Sequence, residues 1–579
     1  MKTLLLGNEA VARGLYEAGC RFVSAYPGTP STEITEAAAK YDELYAEWAP
    51  NEKVAAEAAI GASIGGARSF CAMKHVGLNV AADPLFTVSY TGVNGGLVLA
   101  VADDQGMHSS QNEQDSRHYA IAAKLPMLEP SDSAECLEFS KLAFDISEEY
   151  DTPVMLRTCT RVAHSQSIVE LGSRVERELK PYAKAPSKYV MMPGNAKIRH
   201  PIVEERMQKL VRFAETSPIN RIEMGDTSVG YVTAGICYQY LRECFPSASI
   251  LKLGMVNPLP IELIRSFSEK VDKLIVVEEL DPVIETQIRA CGIKVDGGKD
   301  IFGYCGELSQ NKILKALGMD TPSFADFGEP LPPRPPTLCP GCPHRGLFYT
   351  LGKMGVMVSG DIGCYTLGSL PPLSAMDTTV CMGASVSGLH GFNTVRGSES
   401  AKKSVAVIGD STFIHSGITG LIDIVYNKGI STVIILDNSI TGMTGHQDNP
   451  TTGKTLKGEP APVVSLEKLC EAVGVRRVRV CDPYALGELR AAVEEELNAA
   501  EPSVIIARRP CILLPSAKIS PALFVDPEKC KGCRQCMTIG CPAVSFSDKK
   551  ASIDSTLCVG CELCTQMCKF DAILKKEVE

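Results

Sequence analysis

The hydrophobic pattern of residues 404–438 predicts two buried strands with a helix between them. The run SVAVIG is almost entirely apolar and stops at Asp410, and the run STVIIL stops at Asp437 and Asn438. The intervening GITGLIDIVYNKG is typical of a helix. Uninterrupted apolar runs that alternate with helices indicate parallel strands covered on both faces. We therefore expect an α/β domain in which the polar residues that end both strands meet at one edge of the sheet.

A similar alternation extends over most of the chain. Near the N-terminus, GNEAVARGLYEAGCRFVSAYPGTPSTEI predicts a helix, a strand and a Pro/Gly turn, and PNEKVAAEAAIGASIGGARSFCAMKH predicts a helix that leads into a strand. An irregular polar stretch at 166–200 is typical of a linker. Strands and helices then alternate again through about residue 318, until the Pro-rich GEPLPPRPPT marks a break.

Length and composition predict a globular protein of several domains. The 579 residues exceed the size of a single hydrophobic core, so several domains are expected. The content of 45% hydrophobic and 22% charged residues is typical of globular proteins. The net charge of −10 and the lack of a Lys/Arg-rich block argue against nucleic-acid binding. The apolar run in the first residues, MKTLLLGNEA, is too short for the core of a signal peptide. No run approaches the ~20 apolar residues of a membrane span. We expect a cytoplasmic protein without a membrane segment.

Eight of the 23 cysteines lie in the last fifty residues, within CKGCRQCMTIGCP and CVGCELCTQMCKF. Each run is Cys-x-x-Cys-x-x-Cys with a fourth cysteine further on, and in two-cluster ferredoxins that fourth cysteine ligates the cluster of the other run. A zinc ribbon is the alternative, but zinc needs paired Cys-x-x-Cys hooks and leaves the third cysteine unused. We therefore predict two [4Fe–4S] clusters, one held by Cys530, Cys533, Cys536 and Cys568 and the other by Cys541, Cys558, Cys561 and Cys564.

The two strand ends predict a metal and diphosphate site. The Asp410 carboxylate, the Asn438 amide and the Ile440 carbonyl are oxygen ligands that suit Mg²⁺ completed by phosphate oxygens. Gly442 and Gly445 allow the following loop to approach a diphosphate closely. The alternative is an Asp that only caps the next helix, which is common in α/β proteins.

These motifs resemble those of the thiamine-diphosphate enzymes, in which Gly-Asp-Gly is followed by Asn at the end of the next strand. Here 28 positions separate Asp410 from Asn438, and Ser411 replaces the second glycine. The segments YPGTPSTEI, HSSQNEQDSR, LCPGCPHR, GDSTFIHSG and DNSITGMTGHQ, together with the tail, are similar to 2-oxoacid:ferredoxin oxidoreductases. The order of parts most closely resembles the large α subunits of the branch that acts on indolepyruvate, over essentially the whole chain.

The resemblance implies a thiamine-diphosphate-binding fold of two doubly wound parallel α/β domains, with a transketolase C-terminal-like α/β domain and a C-terminal two-cluster ferredoxin-like domain. The expected boundaries are 1–185 for the pyrimidine-binding domain, 186–325 for the transketolase-like domain, 330–515 for the diphosphate-binding domain and 520–579 for the ferredoxin domain.

The resemblance also implies roles for individual residues. Glu52 would be the acid that activates the aminopyrimidine ring; Glu57 competes, but it lies about 140° around the helix from Glu52. Thr29 would lie near the substrate, and Arg117 would contact a carboxylate or coenzyme A. The expected cofactor-binding residues are Asp410, Ser411, Asn438, Ile440, Gly442 and Gly383.

A further cysteine group predicts a third [4Fe–4S] cluster near the thiamine. Family members carry a cluster at the position of CPGCPHRG, and its further ligands lie in motifs that this sequence matches. The expected ligands are Cys339, Cys342, Cys364 and Cys511. The alternative is four unrelated core cysteines, since free cysteine is among the most buried residue types.

The implied reaction is oxidative decarboxylation of aryl pyruvates, such as indolepyruvate, to aryl-acyl-CoA and CO₂. The cofactors would be thiamine diphosphate, Mg²⁺ and [4Fe–4S] clusters that pass electrons to ferredoxin, and a smaller β subunit would complete an α₂β₂ assembly. Pyruvate or a branched-chain oxoacid is an alternative substrate. A non-oxidative thiamine decarboxylase would leave the tail cysteines without a role, and a pure electron-transfer subunit would leave Asp410, Asn438 and Glu52 without one.

Overall fold

The computed structural model describes residues 1–322, 328–332 and 334–575. The chain forms two compact units, Met1–Gly328 and Glu329–Glu579. The strands of the first unit are β1 Lys2–Leu6, β2 Phe22–Ala25, β3 Tyr45–Trp48, β4 Ser69–Lys74, β5 Leu97–Asp103, β6 Met127–Leu128, β7 Val154–Cys159, β8 Gln166–Glu170, β9 Arg221–Glu223, β10 Asp226–Ala234, β11 Ala248–Leu253, β12 Met255–Asn257 and β13 Leu274–Val277.

The helices of the first unit alternate with these strands for most of its length. They are α1 Gly7–Glu17, α2 Thr32–Ala38, α3 Glu52–Ile64, α4 His75–Val80, α5 Ala82–Thr91, α6 Arg117–Ala123, α7 Ser133–Tyr150, α8 Thr160–His164, α9 Pro186–Tyr189, α10 Pro193–Thr216, α11 Ile236–Cys244, α12 Ile261–Ser268, α13 Val283–Ala290, α14 Lys299–Phe302 and α15 Gln310–Ala316.

The main sheet of the first unit has the order β12-β6-β7-β5-β4-β2-β3, and its strands are parallel except β12. Every residue of β4, β5 and β7 is buried, which explains why these strands are mostly apolar. A second sheet has the order β13-β10-β11-β9. Because β12 follows β11 directly and joins the main sheet, the chain links the two sheets within one unit.

The stretch at 166–200, predicted as a linker, is more ordered than its sequence indicates. It contains β8, which pairs antiparallel with β1, and the start of α10, a 24-residue helix. Pro193 lies in the first turn of α10, where the missing N–H costs nothing, but Pro201 lies inside the helix. Between β8 and α9, residues 171–185 contain neither helix nor strand, which agrees with the irregular sequence.

The second unit contains one parallel sheet followed by the cysteine-rich tail. Its strands are β14 Met357–Gly360, β15 Thr378–Thr379, β16 Ser404–Gly409, β17 Thr432–Asp437, β18 Arg477–Cys481, β19 Ser503–Arg508, β20 Leu523–Val525, β21 Val544–Ser547, β22 Lys550–Ile553 and β23 Ile573–Lys575. Its helices are α16 His344–Met354, α17 Ala384–Arg396, α18 Ser398–Ala401, α19 Asp410–Thr412, α20 Ile418–Tyr426, α21 Leu466–Ala472 and α22 Leu486–Leu497.

The sheet of the second unit has the order β15-β14-β16-β17-β19-β18 and is parallel throughout. Strands β16 and β17 lie side by side as predicted, with Gly409 opposite Leu436. In the tail, β20 pairs with β23 and β21 with β22, both antiparallel. The predicted α/β fold class is therefore confirmed. Among the described residues, no helix is both long and apolar enough to cross a bilayer.

Candidate active site

The Asp410 carboxylate lies where β16 ends, with only 3% of the residue exposed. Thr451 Oγ1 donates to it over a long 3.4 Å. The pKa of Asp410 is raised to about 7, first by burial and then by the charge of the nearby Asp437, and hydrogen bonds from Ser411, Asn449 and Thr451 offset only part of these two effects. Within the described part of the chain no lysine or arginine pairs with Asp410, so the site presents a buried carboxylate that lacks a cation.

The polar residues that end β17 lie beside Asp410, because the two strands pair in parallel register. Asn438 is buried, and its side-chain oxygen accepts a 3.4 Å hydrogen bond from Ile440 N–H. Thr441 Oγ1 donates to Ser411 Oγ at 3.0 Å, which connects the two strand ends directly. The structure thus brings together four residues that the sequence assigned to one site: Asp410, Ser411, Asn438 and Ile440.

The helix that follows Asp410 starts earlier than predicted. It begins at Asp410 itself as α19, passes through a π-helical turn at Phe413–Gly417 and continues as α20. Such π turns are frequent at functional sites. This turn buries His415, whose Nδ1 is hydrogen-bonded to Ser416 Oγ. No periodicity in GDSTFIHSG signalled the π geometry.

Asp361 is a residue that the sequence reasoning missed. It follows β14, is completely buried, and accepts hydrogen bonds from Gly383 N–H and Ser385 N–H, each at 3.0 Å. Gly383 has a φ of +86°, and a Cβ there would lie 2.6 Å from Ser416 Cβ, so the turn requires glycine. The segment VMVSGD repeats the pattern of VAVIGD, an apolar strand that ends on Gly-Asp, and this parallel could have identified Asp361.

Gly442 and Gly445 lie in the loop after β17. A Cβ on Gly442 would lie 3.5 Å from Cys364 Sγ and 3.7 Å from Asn438 Nδ2, so the loop passes close to both the strand end and the cysteine. Gly445 has a φ of +122°, which favours glycine. The approach of this loop to a diphosphate stays a prediction.

In the first unit, Glu52 and Glu57 have different surroundings. Glu52 is the first residue of α3, is 4% exposed, and follows Asn51, whose side chain caps the helix by accepting from Val54 N–H at 2.9 Å. A Cβ on Gly77 would lie 2.5 Å from Glu52 Oε1, so the glycine makes room for this carboxylate. Glu57 is exposed and pairs with Lys53. Burial thus favours Glu52 over Glu57 as the functional acid.

Thr29 lies in the turn after β2, half-buried. Its carbonyl accepts a hydrogen bond from Ser109 Oγ at 3.3 Å, and Lys74 Nζ donates to the Ser109 carbonyl at 2.9 Å. Thr29, Lys74 and Ser109 therefore lie at the carboxyl edge of the main sheet, the edge at which α/β proteins bind ligands. The role of Thr29 stays a prediction.

Arg117 is buried in an ionic network. Its guanidinium contacts Asp115 and Glu278, both at 2.6 Å, and donates to the carbonyls of Glu279 and Asp281 at 2.9 and 3.0 Å. These contacts connect the main sheet to the segment after β13. The predicted contact of Arg117 with substrate or coenzyme A stays a prediction. The network itself shows that Arg117 holds the start of α6 against residues 278–281.

The eight tail cysteines form two groups in space. Burial raises the pKa of Cys536, and so do the charges of Cys530, Cys533 and Cys568. Burial likewise raises the pKa of Cys564, together with the charges of Cys561, Cys541 and Cys558 and, as the last of these, Cys536 of the first set. We name these the outer group, which contains the exposed Cys533, and the inner group. The grouping agrees with the exchange of fourth cysteines between the two runs.

Among the described residues, no group of three or more His, Cys, Asp or Glu side chains is placed so that it could hold a metal ion. The assignment of clusters to the tail therefore depends on the spacing of its cysteines.

The four cysteines predicted to hold a third cluster also lie near one another. After burial, the charges of Cys511 and Cys339 raise the pKa of Cys364, and Cys339 and Cys364 also raise that of Cys342. The Cys511 N–H donates to the Asn438 carbonyl at 2.9 Å. We name this set the proximal group, because it adjoins the strand end beside Asp410.

Comparison with known families matches three parts of the chain. The family described as "Pyruvate flavodoxin/ferredoxin oxidoreductase, thiamine diP-bdg" matches residues 13–224, "Thiamine pyrophosphate enzyme, C-terminal TPP binding domain" matches 361–507, and "4Fe-4S binding domain" matches 551–574. Together with the fold, these matches define a thiamine-diphosphate-dependent 2-oxoacid:ferredoxin oxidoreductase that carries iron–sulfur clusters.

Curated relatives cover nearly the full chain. "Indolepyruvate oxidoreductase subunit IorA" of Archaeoglobus fulgidus is 42% identical over 99% of this chain and 97% of its own, and the subunit of the same name from Pyrococcus horikoshii is 40% identical over the same shares. The chain belongs to the family of these IorA subunits. A solved 2-oxoglutarate:ferredoxin oxidoreductase from Magnetococcus marinus is 18% identical over 55% of this chain and 65% of that one, with a TM-score of 0.47.

Proposed function

We propose that this chain, together with a smaller β subunit, converts an aryl pyruvate and coenzyme A to an aryl-acyl-CoA and CO₂. The oxoacid loses its carboxylate as CO₂, the CoA thiol loses its proton, and the acyl carbon forms a bond to sulfur. Two electrons are released, and two molecules of oxidised ferredoxin accept one each. The relatives named for indolepyruvate support an aryl substrate.

The observation that carries this proposal is the buried Asp410 carboxylate without a cation. A buried charge of this kind is costly unless a metal or a positive group accompanies it. The neighbouring Asn438 and the loop through Ile440 supply further oxygens of the type that Mg²⁺ prefers. We infer that these three residues hold Mg²⁺ and that Mg²⁺ carries the diphosphate, with Ser411 and Gly442 close by.

Thiamine diphosphate, when bound, supplies the electron sink for decarboxylation. The protein residues prepare and shield the site. We assign Glu52 to a hydrogen bond with the aminopyrimidine ring, where a buried carboxylate at a helix N-terminus can hold a proton at a ring nitrogen. Thr29 and the adjacent turn would orient the oxoacid. Arg117 would either contact the oxoacid or keep the carboxyl edge of the main sheet rigid.

The three cysteine groups support a path for electrons out of the site. The proximal group adjoins the Asn438 carbonyl, and the exposed Cys533 of the outer group lies beside Lys531 and Arg534. We propose a [4Fe–4S] cluster in each group, with electrons leaving from the outer one. The basic residues there suit a ferredoxin whose contact face is negative.

The four predicted domains, 1–185, 186–325, 330–515 and 520–579, remain our proposed division of the chain, and we propose an α₂β₂ assembly in the cytoplasm. The 4Fe–4S family match covers one of the two tail runs, and the pairing of tail strands supports a domain that includes both.

The decisive experiment uses anaerobically purified protein with its β subunit. We expect the broad iron–sulfur absorbance to bleach when an oxoacid and coenzyme A are both present. Either compound alone should bleach it less. CO₂ release without bleaching would indicate a non-oxidative decarboxylase instead. Rates with indolepyruvate, pyruvate and 2-oxoisovalerate then decide the substrate, and a preference for pyruvate or 2-oxoisovalerate would reject the aryl assignment.

A further inference from the structure

Arg345 connects the loop before α16 to the cysteine-rich tail. The residue is 2% exposed and lies three positions after Cys342. On one side its guanidinium donates to the carbonyls of Leu338 and Cys339, the latter at 3.1 Å. On the other side it donates to the carbonyls of Ile539, at 3.2 Å, and Gly540. One side chain thus joins the residue before Cys541 to the Cys339–Cys342 loop.

This guanidinium has no carboxylate partner. Over residues 1–322, 328–332 and 334–575, no Asp or Glu oxygen lies within 4.0 Å of it. Arg117 and Arg157 are equally buried, but each contacts two or more carboxylates. Carbonyl dipoles alone are a weak counterpart for a buried cation, and burying an unpaired charge is expensive.

The negative groups nearest to Arg345 are cysteines from two of the groups defined above. Cys339 and Cys342 belong to the proximal group, and Cys541 and Cys561 belong to the inner group. As neutral thiols these residues could not balance the cation. As ligands of iron–sulfur clusters they are thiolates, and each cluster with its four thiolates carries a net negative charge that increases on reduction.

We propose that Arg345 is a positioning and charge-compensating residue placed between the proximal and inner clusters. Its positive charge stabilises the reduced form of each and so raises both reduction potentials. Its four carbonyl contacts hold the two cysteine loops at a fixed separation, which one-electron transfer between them requires. This inference rests on the proposed function, since it assumes clusters at both groups.

Arg509 offers a matched control, because it lies in the same neighbourhood and is already neutralised. Its Nε donates to Asp482 at 2.8 Å, and its guanidinium stacks on the Tyr484 ring at 3.9 Å. The charge of Arg509 faces Cys561, as that of Arg345 does. The two residues therefore differ in whether a carboxylate compensates the cation, and also in burial, since the Arg509 side chain is 36% exposed.

The test is a redox titration, followed by EPR, of the anaerobic protein with its β subunit. The inner-cluster signal is identified as the one that Cys541→Ser removes. We expect Arg345→Gln to shift its reduction equilibrium at least tenfold towards the oxidised form, which is 59 mV for one electron. Arg345→Lys should recover most of the shift, and Arg509→Gln should shift the equilibrium less than threefold.

Equal shifts in Arg345→Gln and Arg509→Gln, or an unchanged potential in Arg345→Gln with full iron content, would overturn the inference. Should Arg345→Gln fail to fold, Asp482→Asn provides the test, because it frees the Arg509 charge and should raise the same potential; no rise would reject the charge mechanism. Wild-type protein without iron would instead refute the proposed function, so the two failures are distinguishable.

Discussion

Asp410 and Asp437 end two neighbouring parallel strands, yet only Asp437 has a cation. Arg508 Nε donates to Asp437 at 2.6 Å, whereas Asp410 accepts hydrogen bonds only from the uncharged groups of Ser411, Asn449 and Thr451 and faces the negative charge of Asp437. Arg508 thus neutralises Asp437, whereas among the described residues no lysine or arginine neutralises Asp410.

Replacement of Asp410 by Asn should weaken thiamine diphosphate binding in the presence of Mg²⁺ at least tenfold, about 1.4 kcal/mol, because the metal loses its charged ligand. The fold should tolerate this change, since a buried negative charge is removed. Isothermal calorimetry measures the binding. Asp437→Asn is the control: it should keep cofactor affinity but destabilise the protein on the order of 1 kcal/mol, because Arg508 loses one of its two carboxylate partners and keeps only Glu467. Equal affinity in Asp410→Asn and wild type would show that the metal lies elsewhere.

Glu52→Gln should lower kcat about 10²- to 10⁴-fold, the range for loss of a positioned proton-transfer group. Glu57→Gln, which changes an exposed residue of the same helix, should stay within about twofold of wild type. Steady-state rates with the oxoacid and coenzyme A compare the two, while near-wild-type thermal denaturation controls for folding. If Glu57→Gln were the more damaging variant, our assignment of the acid would be reversed.

Gly77→Ala should impair activity through Glu52, although residue 77 contributes no chemistry. The added Cβ would lie 2.5 Å from Glu52 Oε1, so the carboxylate must move. We expect kcat to fall at least tenfold with iron content unchanged. Gly61→Ala is a suitable control, because a Cβ at Gly61 meets nothing within 4 Å. Full activity in Gly77→Ala would mean that the position of Glu52 is not critical.

Cys568→Ser and Cys541→Ser should each disturb a different cluster. Cys568 is in the second cysteine run but lies with the outer group, whose other members are in the first run. Cys541 is in the first run but lies with the inner group, whose other members are in the second run. Iron analysis and EPR of the reduced protein should show one tail cluster altered per variant, the outer by Cys568→Ser and the inner by Cys541→Ser. The reverse assignment, or zinc in place of iron, would contradict the grouping.

Glu279 predicts a pH dependence of stability in the first unit. Burial raises its pKa from 4.5 to about 7, and the Leu308 N–H that it accepts at 2.7 Å offsets only part of this. Between these values the folded state binds the proton more tightly than the unfolded state, so the free energy of unfolding falls as pH rises from about 4.5 to 7, by up to about 3 kcal/mol.

Glu279→Gln keeps an oxygen acceptor for Leu308 but cannot ionise. Its denaturation midpoint should therefore decline less than that of wild type between pH 5 and 8, and should exceed it at pH 8. Parallel thermal melts at several pH values provide the comparison. Identical pH profiles would show that the pKa of Glu279 is the same in the folded and unfolded states, and would contradict this prediction.

The sequence predicted the parallel strands and the site at their ends because both follow from local pattern. Strands β16 and β17 are uninterrupted apolar runs, and any parallel pairing brings Asp410 and Asn438 to one edge. The cysteine spacing likewise predicted two groups in the tail, and the exchange of fourth cysteines came from the pattern of two-cluster ferredoxins. These inferences needed no knowledge of distant contacts.

Other features depend on contacts that the sequence does not encode locally. The capping role of Asp361 needs the position of Gly383, 22 residues away, and the Arg345 contacts join residues almost 200 positions apart. The π turn at Phe413–Gly417 and the order within 166–200 were missed for the opposite reason: each is local, but its geometry departs from the regular periodicities on which prediction relies.

The Asp361 carboxylate accepts hydrogen bonds at the amino end of α17. Its negative charge therefore neutralises the positive end of that helix dipole. If Mg²⁺ and the diphosphate bind at Asp410 as proposed, the diphosphate gains little from this helix and depends on the metal ion for charge balance. A chelator alone should then release thiamine diphosphate from the protein.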